Sequence, residues 1–245
     1  MKKILVPVLA SALMMSASVA QAVQITYTSA TPADGSGKTS QQTKNVFVET
    51  FDRADGSGGL TMDQSLVKVT QTGGGLGFAK GDRDGAYAAP ANNTTNFAYG
   101  PAVDSGETGA QVKFDFAGLL GSLPMGGSLN YFGMYYGSID TYNDVIFYNA
   151  AGEIIQTITG AFLIDQFNGQ SGNQDADSSN IYVNLFFTPT EQFTAFSLVT
   201  TDKAFELDNL VVGYDIVSPV PEPASMALLG LGLAGLGYAR RRNKK

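Results

Sequence analysis

Along the middle of the chain, apolar side chains recur with a period of two. Residues 110–116 show it most clearly. Val112, Phe114 and Phe116 alternate there with Gln111, Lys113 and Asp115, as in a strand with one buried face. Shorter runs of the same kind lie at 23–28, 45–51, 65–72, 129–136, 144–148, 153–159, 181–187, 193–200 and 204–214. Asn149-Ala150-Ala151-Gly152, between two of these runs, predicts a hairpin. Gly73-Gly74-Gly75 predicts a turn. Helix is expected only briefly, at 119–123, and residues 166–180 read as a polar low-complexity loop. There is no fixed-period repeat. Closely spaced β-branched and aromatic runs with Gly, Asn and Asp turns predict an all-β sandwich or barrel.

The two ends break this pattern. Met1-Lys2-Lys3 precedes an apolar run that closes on Ala20-Gln21-Ala22. A basic start, a short apolar stretch and an Ala-x-Ala site predict a signal peptide for the Sec machinery, cut by signal peptidase after Ala22. At the other end, Pro219-Val220-Pro221-Glu222-Pro223 leads into an apolar run that opens at Ala224 and closes at Ala239. Arg240, Arg241 and Arg242 begin the basic close. Sixteen residues at about 1.5 Å each make a transmembrane helix of roughly 24 Å, short against a bilayer core of about 30 Å. The basic cluster should stay cytoplasmic. Such a short helix, holding four glycines, suits a processed signal better than a permanent anchor.

Composition narrows the chemistry. Among 245 residues there is no His and no Cys. Ser-His-Asp and Cys-His nucleophile systems are excluded, and zinc or copper sites lose their usual ligands. Oxygen-ligand metals such as calcium remain. No disulfide can hold the domain, so its core must. Removing both ends takes away seven of the 15 basic residues and one of the 22 acidic ones, leaving a middle of net charge −13. A domain of that charge is a poor nucleic-acid binder and repels anionic surfaces.

Val220-Pro221-Glu222-Pro223-Ala224-Ser225, then a Gly/Leu/Ala helix, then an Arg cluster, resembles the PEP-CTERM sorting signal. The resemblance covers 219–245. It implies recognition of Pro221, Glu222 and Pro223 by an exosortase, a membrane-embedded enzyme of Gram-negative bacteria. It also implies a precursor held transiently in the inner membrane, release to the cell envelope, outer surface or extracellular matrix, and company with exopolysaccharide and biofilm. Tyr131-Phe132-Gly133-Met134-Tyr135-Tyr136-Gly137-Ser138-Ile139-Asp140-Thr141-Tyr142-Asn143 and Phe205-Glu206-Leu207-Asp208-Asn209-Leu210-Val211-Val212 together resemble a family of exosortase-dependent surface proteins first named from a Nostoc genome. That family carries no activity to transfer. The second segment is also similar to the last strand of carbohydrate-binding jelly rolls.

In such jelly rolls the first and last strands lie side by side and can share a structural calcium. The resemblance implies Asp208 with Glu49 or Asp52 as oxygen ligands. The alternative is that Asp208 bonds nearby backbone. Gly81-Asp82-Arg83-Asp84-Gly85 fails the calcium-loop pattern, because the twelfth position from Asp82 is Asn93 rather than Glu; an acidic turn is expected. Asp175-Ala176-Asp177 reads the same way. Asp140 and Asp144 can be paired as the two carboxylates of a glycosidase, but any acidic β domain offers many such pairs, and Asp140 fits a turn better. Tyr131, Tyr135, Tyr136 and Tyr142 are candidate sugar-stacking residues. Core packing is the competing role, and alternation would bury one of Tyr135 and Tyr136 and expose the other.

The expectation is an all-β, jelly-roll-like β-sandwich at 45–218, preceded by a signal peptide at 1–22 and a flexible segment at 23–44, and followed by a sorting signal at 219–245. The first functional reading is a non-enzymatic exported surface or matrix protein. A carbohydrate-binding module with a defined glycan is the second, and a polysaccharide-degrading enzyme the third.

Overall fold

The computed structural model describes residues 23–28, 45–123 and 127–216. The signal peptide and the C-terminal helix lie outside these residues. No described helix is long and apolar enough to cross a membrane.

The described chain folds into two antiparallel sheets, as the alternation predicts. The strands are β1 (Gln24–Thr28), β2 (Val46–Glu49), β3 (Lys68–Gly73), β4 (Gly77–Ala79), β5 (Phe97–Gly100) and β6 (Ala110–Asp115). Helix α1 (Ala117–Ser122) follows, then β7 (Gly127–Gly137), β8 (Asn143–Tyr148) and β9 (Ile154–Thr159). Helix α2 (Gly160–Phe167), β10 (Ile181–Phe186), β11 (Ala195–Thr200) and β12 (Phe205–Ile216) complete the chain. One sheet runs β1-β10-β7-β12-β5-β4, with β2 also on β12; the other runs β3-β6-β11-β8-β9.

The inner faces meet through aromatic rings. Phe132 of β7 packs edge-on against Phe147 of β8 and Phe196 of β11, with ring centroids 5.2 and 4.9 Å apart. Phe114 stacks on Phe196 at 4.9 Å. Each fully buried Phe contributes about 1.5–3 kcal/mol, so this cluster replaces the disulfides the chain lacks.

Strand β12 spans the first sheet. It pairs with β7 from Glu206↔Gly137 to Ile216↔Gly127. Its other edge is shared end to end by β5, opposite Phe205–Leu207, and β2, opposite residues 210–213. The handover falls at a β-bulge between Asp208 and Val211, where Asn209 takes φ +49°. The bulge shifts the alternation by one residue. Leu207 and Leu210, three apart, therefore both enter the core.

Three differences from the sequence reading stand out. Residues 24–28 are not a loose leader: β1 pairs with β10, Gln24 opposite Phe186, so the sandwich begins before residue 45. Strands β4 and β5 were not predicted, because three or four residues carry too little periodicity. Helix α2 was not predicted either. Its Thr159 hydroxyl caps it by accepting from Phe162 N–H at 3.1 Å.

Gly160 shows why α2 starts where it does. A Cβ there would lie 1.9 Å from the Asp140 carbonyl oxygen and 2.8 Å from that of Asn143. Gly160→Ala should lower stability by about 1–3 kcal/mol through this clash, measured as a lower urea midpoint. Gly121→Ala, on α1 with nothing within 4 Å of the added Cβ, should hold or raise it.

Candidate functional site

An opening lies at one pole of the sandwich, where β7, β11 and β12 turn. It is a cleft of about 600 Å³. Its walls are the turn at 82–88, the β7–β8 connection with Ser138, Asp140 and Tyr142, the α2–β10 loop, and Asp202, Lys203 and Glu206.

The segment 80–96 builds one wall. It lies across the outer face of the first sheet, and polar groups of that sheet hold its backbone. Glu206 Oε1 accepts from Ala88 N–H at 3.0 Å, and Asn180 Oδ1 from Ala91 N–H at 3.1 Å. Tyr135 donates to the Ala91 carbonyl. A Cβ on Gly137 would come 2.8 Å from Pro90 Cα, so a side chain there would push the segment away. Within it, Gly81–Gly85 is the acidic turn the sequence suggested: Ala86 and Tyr87 N–H donate to the Arg83 carbonyl, and Asp82 accepts from Ala89 N–H at 2.7 Å.

Glu206 lies at the cleft floor, buried, with Ser138 donating to Oε2 at 3.0 Å. Burial, with the Asp140 charge adding to it, pushes its carboxyl up to about 8. At neutral pH it is a neutral acid.

Asp140 is 8% exposed and sits in the turn after β7, as expected. Burial holds its carboxyl above the usual range. The Tyr142 oxygen lies 2.7 Å from Asp140 Oδ2 and 2.6 Å from the Lys203 carbonyl oxygen. A phenol has one proton, and the carbonyl can only accept. The Tyr142 hydroxyl therefore shares its one proton between Asp140 Oδ2 and the Lys203 carbonyl oxygen. Ser171 donates to Oδ1 at 3.0 Å. The floor thus carries two buried carboxyl groups, both raised by burial. Asp144, the other half of the predicted pair, lies on β8 opposite Val199 and Thr159.

Of the four candidate tyrosines, only Tyr142 lines the cleft. Tyr131, Tyr135 and Tyr136 are buried and cannot stack on a sugar. Tyr135 is buried rather than exposed, because β7 is a central strand covered on both faces. Tyr136 faces the core, stacked on Phe205 at 4.6 Å, and Tyr135 lies under the segment 80–96. Tyr87 was missed. It is half-buried in the cleft wall, 4.1 Å from the Tyr99 ring centroid, and only its place beside the acidic turn pointed to it.

The geometry separates Glu49 from Asp208. Strands β2 and β12 do lie side by side, Glu49 opposite Leu210. Leu210 faces the core, whereas Asp208 lies opposite Tyr135 on the outer face. Residues directly opposite share a face, so Glu49 and Asp208 point to different sides. Glu49 accepts from Phe51 N–H (2.7 Å), Thr61 N–H (2.7 Å), Thr61 Oγ1 (2.6 Å) and Met62 N–H (2.9 Å). These donors fill its lone pairs. Asp208 accepts from Asn209 N–H at 2.7 Å and Asn93 Nδ2 at 2.9 Å, with Thr95 Oγ1 and Asn209 Nδ2 both at 3.2 Å. Asp52 accepts twice from Asn96. These carboxylates staple loops. Among the described residues no cluster of three acidic groups could hold a metal.

Comparisons with known proteins add one decisive observation. The description "PEP-CTERM protein-sorting motif" matches residues 219–242. The chain carries an exosortase sorting signal. This PEP-CTERM motif implies an exported, membrane-sorted protein processed by an exosortase. No curated protein matches the chain. Three solved structures show distant similarity. The enzymatically active domain of bacteriophage CBA120 tailspike protein 4 is 13% identical, with TM-score 0.34, over 68% of this chain and 22% of that one; the chain thus spans under a quarter of the tailspike's length. The Clostridium perfringens chain CpGH89CBM32-6 is 12% identical, with TM-score 0.29, over 69% and 94%. The Stig cyclase Fisc from Fischerella sp. TAU is 11% identical, with TM-score 0.33, over 79% and 90%. Similarity at this level transfers no activity.

Two measurements check the site. Between its ordinary value of 4.5 and its folded value of about 8, Glu206 ionises in the unfolded chain but not in the folded one. Its contribution is therefore whole below about pH 4.5, falls by about 1.4 kcal/mol per pH unit through that window, and is fully lost above pH 8. Melting temperature should fall from pH 5 to 8, and Glu206→Gln should flatten part of that fall. Glu49→Gln replaces a four-donor carboxylate and should cost about 3 kcal/mol, while millimolar calcium should leave the melting temperature of the wild type unchanged.

Proposed function

We propose that this is a non-enzymatic surface or matrix protein, exported by Sec with removal of residues 1–22 by signal peptidase and released by an exosortase. Its β-sandwich associates with exopolysaccharide through the cleft described above. The outer surface or extracellular matrix of a Gram-negative bacterium, in a biofilm, is its working location. The jelly-roll arrangement of the sandwich and the Nostoc-type likeness of residues 45–215 belong to this same reading.

The observation that carries it is the chemistry of the cleft floor. A neutral acid that both donates and accepts matches a sugar hydroxyl, which does the same. Tyr87 and Tyr142 offer partly exposed rings beside it, and aromatic faces pack against apolar sugar faces. The cleft also has the size of a small-ligand site.

A second reading rests on one observation. Burial raises the Asp140 carboxyl inside a cleft, the direction a general acid for glycoside cleavage requires. Isothermal titration of the mature domain with neutral, uronate and amino oligosaccharides separates the two. Neutral glycans should bind, Tyr87→Ala and Tyr142→Ala should each weaken binding about tenfold or more, and the glycan should be recovered intact. Release of reducing ends by the wild type but not by Asp140→Asn would establish the enzyme instead. No binding to any of the three classes would remove the cleft as a glycan site.

A further inference from the structure

The strand registers fix which pole each functional feature occupies. The cleft gathers at the end where β7 reaches Gly137 and β12 begins, with Glu206 opposite Gly137. Ile216, the last described residue, lies opposite Gly127 at the other end. The N-terminal strand leaves in the same direction as Ile216. Gln24 is level with Phe186, Phe186 with Tyr131, and Tyr131 with Gly213. Both ends of the described chain therefore emerge toward one pole, and the cleft occupies the other. Ten residue steps of β12 separate Glu206 from Ile216, a length on the order of 30 Å at the usual rise.

The sorting motif begins at residue 219, three residues past Ile216. Three residues reach at most about 10 Å. Pro221 stands five residues past Ile216, within about 18 Å at full extension. The tether is thus shorter than the domain it holds. We infer that the precursor stands pole-on at the membrane. The Ile216 pole faces the sorting enzyme and the bilayer, and the cleft faces away, toward polymer outside.

Two features support this orientation over one in which the sandwich lies on its side. The first is the axial run of β12 directly into the tether. The second is charge: with a net −13 between the two end segments, broadside contact with an anionic lipid surface is repulsive, and the pole-on stance minimises that contact. The β8–β9 turn at Ala150 and Ala151 and the β10–β11 connection are then the surfaces nearest the sorting enzyme. The inference rests on the sorting motif and the strand registers and does not depend on glycan binding.

The absence of cysteine makes the test clean. The full precursor is prepared with one cysteine at Ala151→Cys, on the Ile216 pole, or at Glu107→Cys, beyond β6 on the cleft pole; both positions are exposed. Each is labelled with a fluorophore and reconstituted into phosphatidylethanolamine–phosphatidylglycerol vesicles carrying a headgroup quencher. The poles differ in height by on the order of 25 Å along β8 and its flanking turns, so quenching should be about threefold or more stronger at position 151. Equal quenching, or stronger quenching at 107, overturns the orientation. Ala150→Cys and Asp104→Cys, also exposed, form a second pair that must give the same order. Matching melting temperatures among the labelled proteins show that all four retain the fold.

Discussion

The antiparallel pairing of β7 with β12 is the contact on which the rest of the molecule depends. It runs nearly the whole length of both strands and places one face of each against the aromatic core. It also sets an axis. One end of that axis brings Glu206 beside Ser138, and the other delivers the chain toward its sorting signal. The bulge at Asn209 lets two short strands share one edge of β12. It also keeps leucines on the core side of the strand before and after the break. A uniform strand would turn either Leu207 or Leu210 outward.

On the outer face of the same sheet, the chain meets a different problem. The segment 80–96 has almost no ladder hydrogen bonds of its own, yet it covers Tyr135, Glu206 and Asp208. Its backbone and side-chain donors are met by carboxyl groups that rise from the sheet. Two of these acids lie deep enough that burial outweighs their hydrogen bonds and raises their carboxyls. Burial of Asp208 pushes its carboxyl up to about 7. The cleft is the place where this covering stops. Its floor is thus a continuation of the polar layer that holds the segment down, opened to solvent at the pole.

Much of this was legible in the residues themselves. The period-two runs located ten of the twelve strands among the described residues, and the Asn149–Gly152 turn placed the β8–β9 hairpin. The exceptions share a cause. Strands as short as β4 and β5, three and four residues long, hold at most two periods. The tyrosines of β7 showed the correct alternation, but alternation states only which residues share a face, not what covers it. Asp208 and Glu49 were rightly placed on neighbouring strands. Their separation onto opposite faces needed the actual register, which no spacing reveals.

By itself the sequence determined the two-sheet class, the lack of histidine and cysteine chemistry, the acidic charge and the sorting motif. Each of these follows from local pattern or composition. The tertiary structure decided which carboxyl groups are buried, which tyrosines stay accessible, and that the cleft and the chain ends occupy opposite poles. Those outcomes depend on contacts between segments as far apart as Ala88 and Glu206. Such contacts are set by packing over the whole sheet and leave no trace in local order.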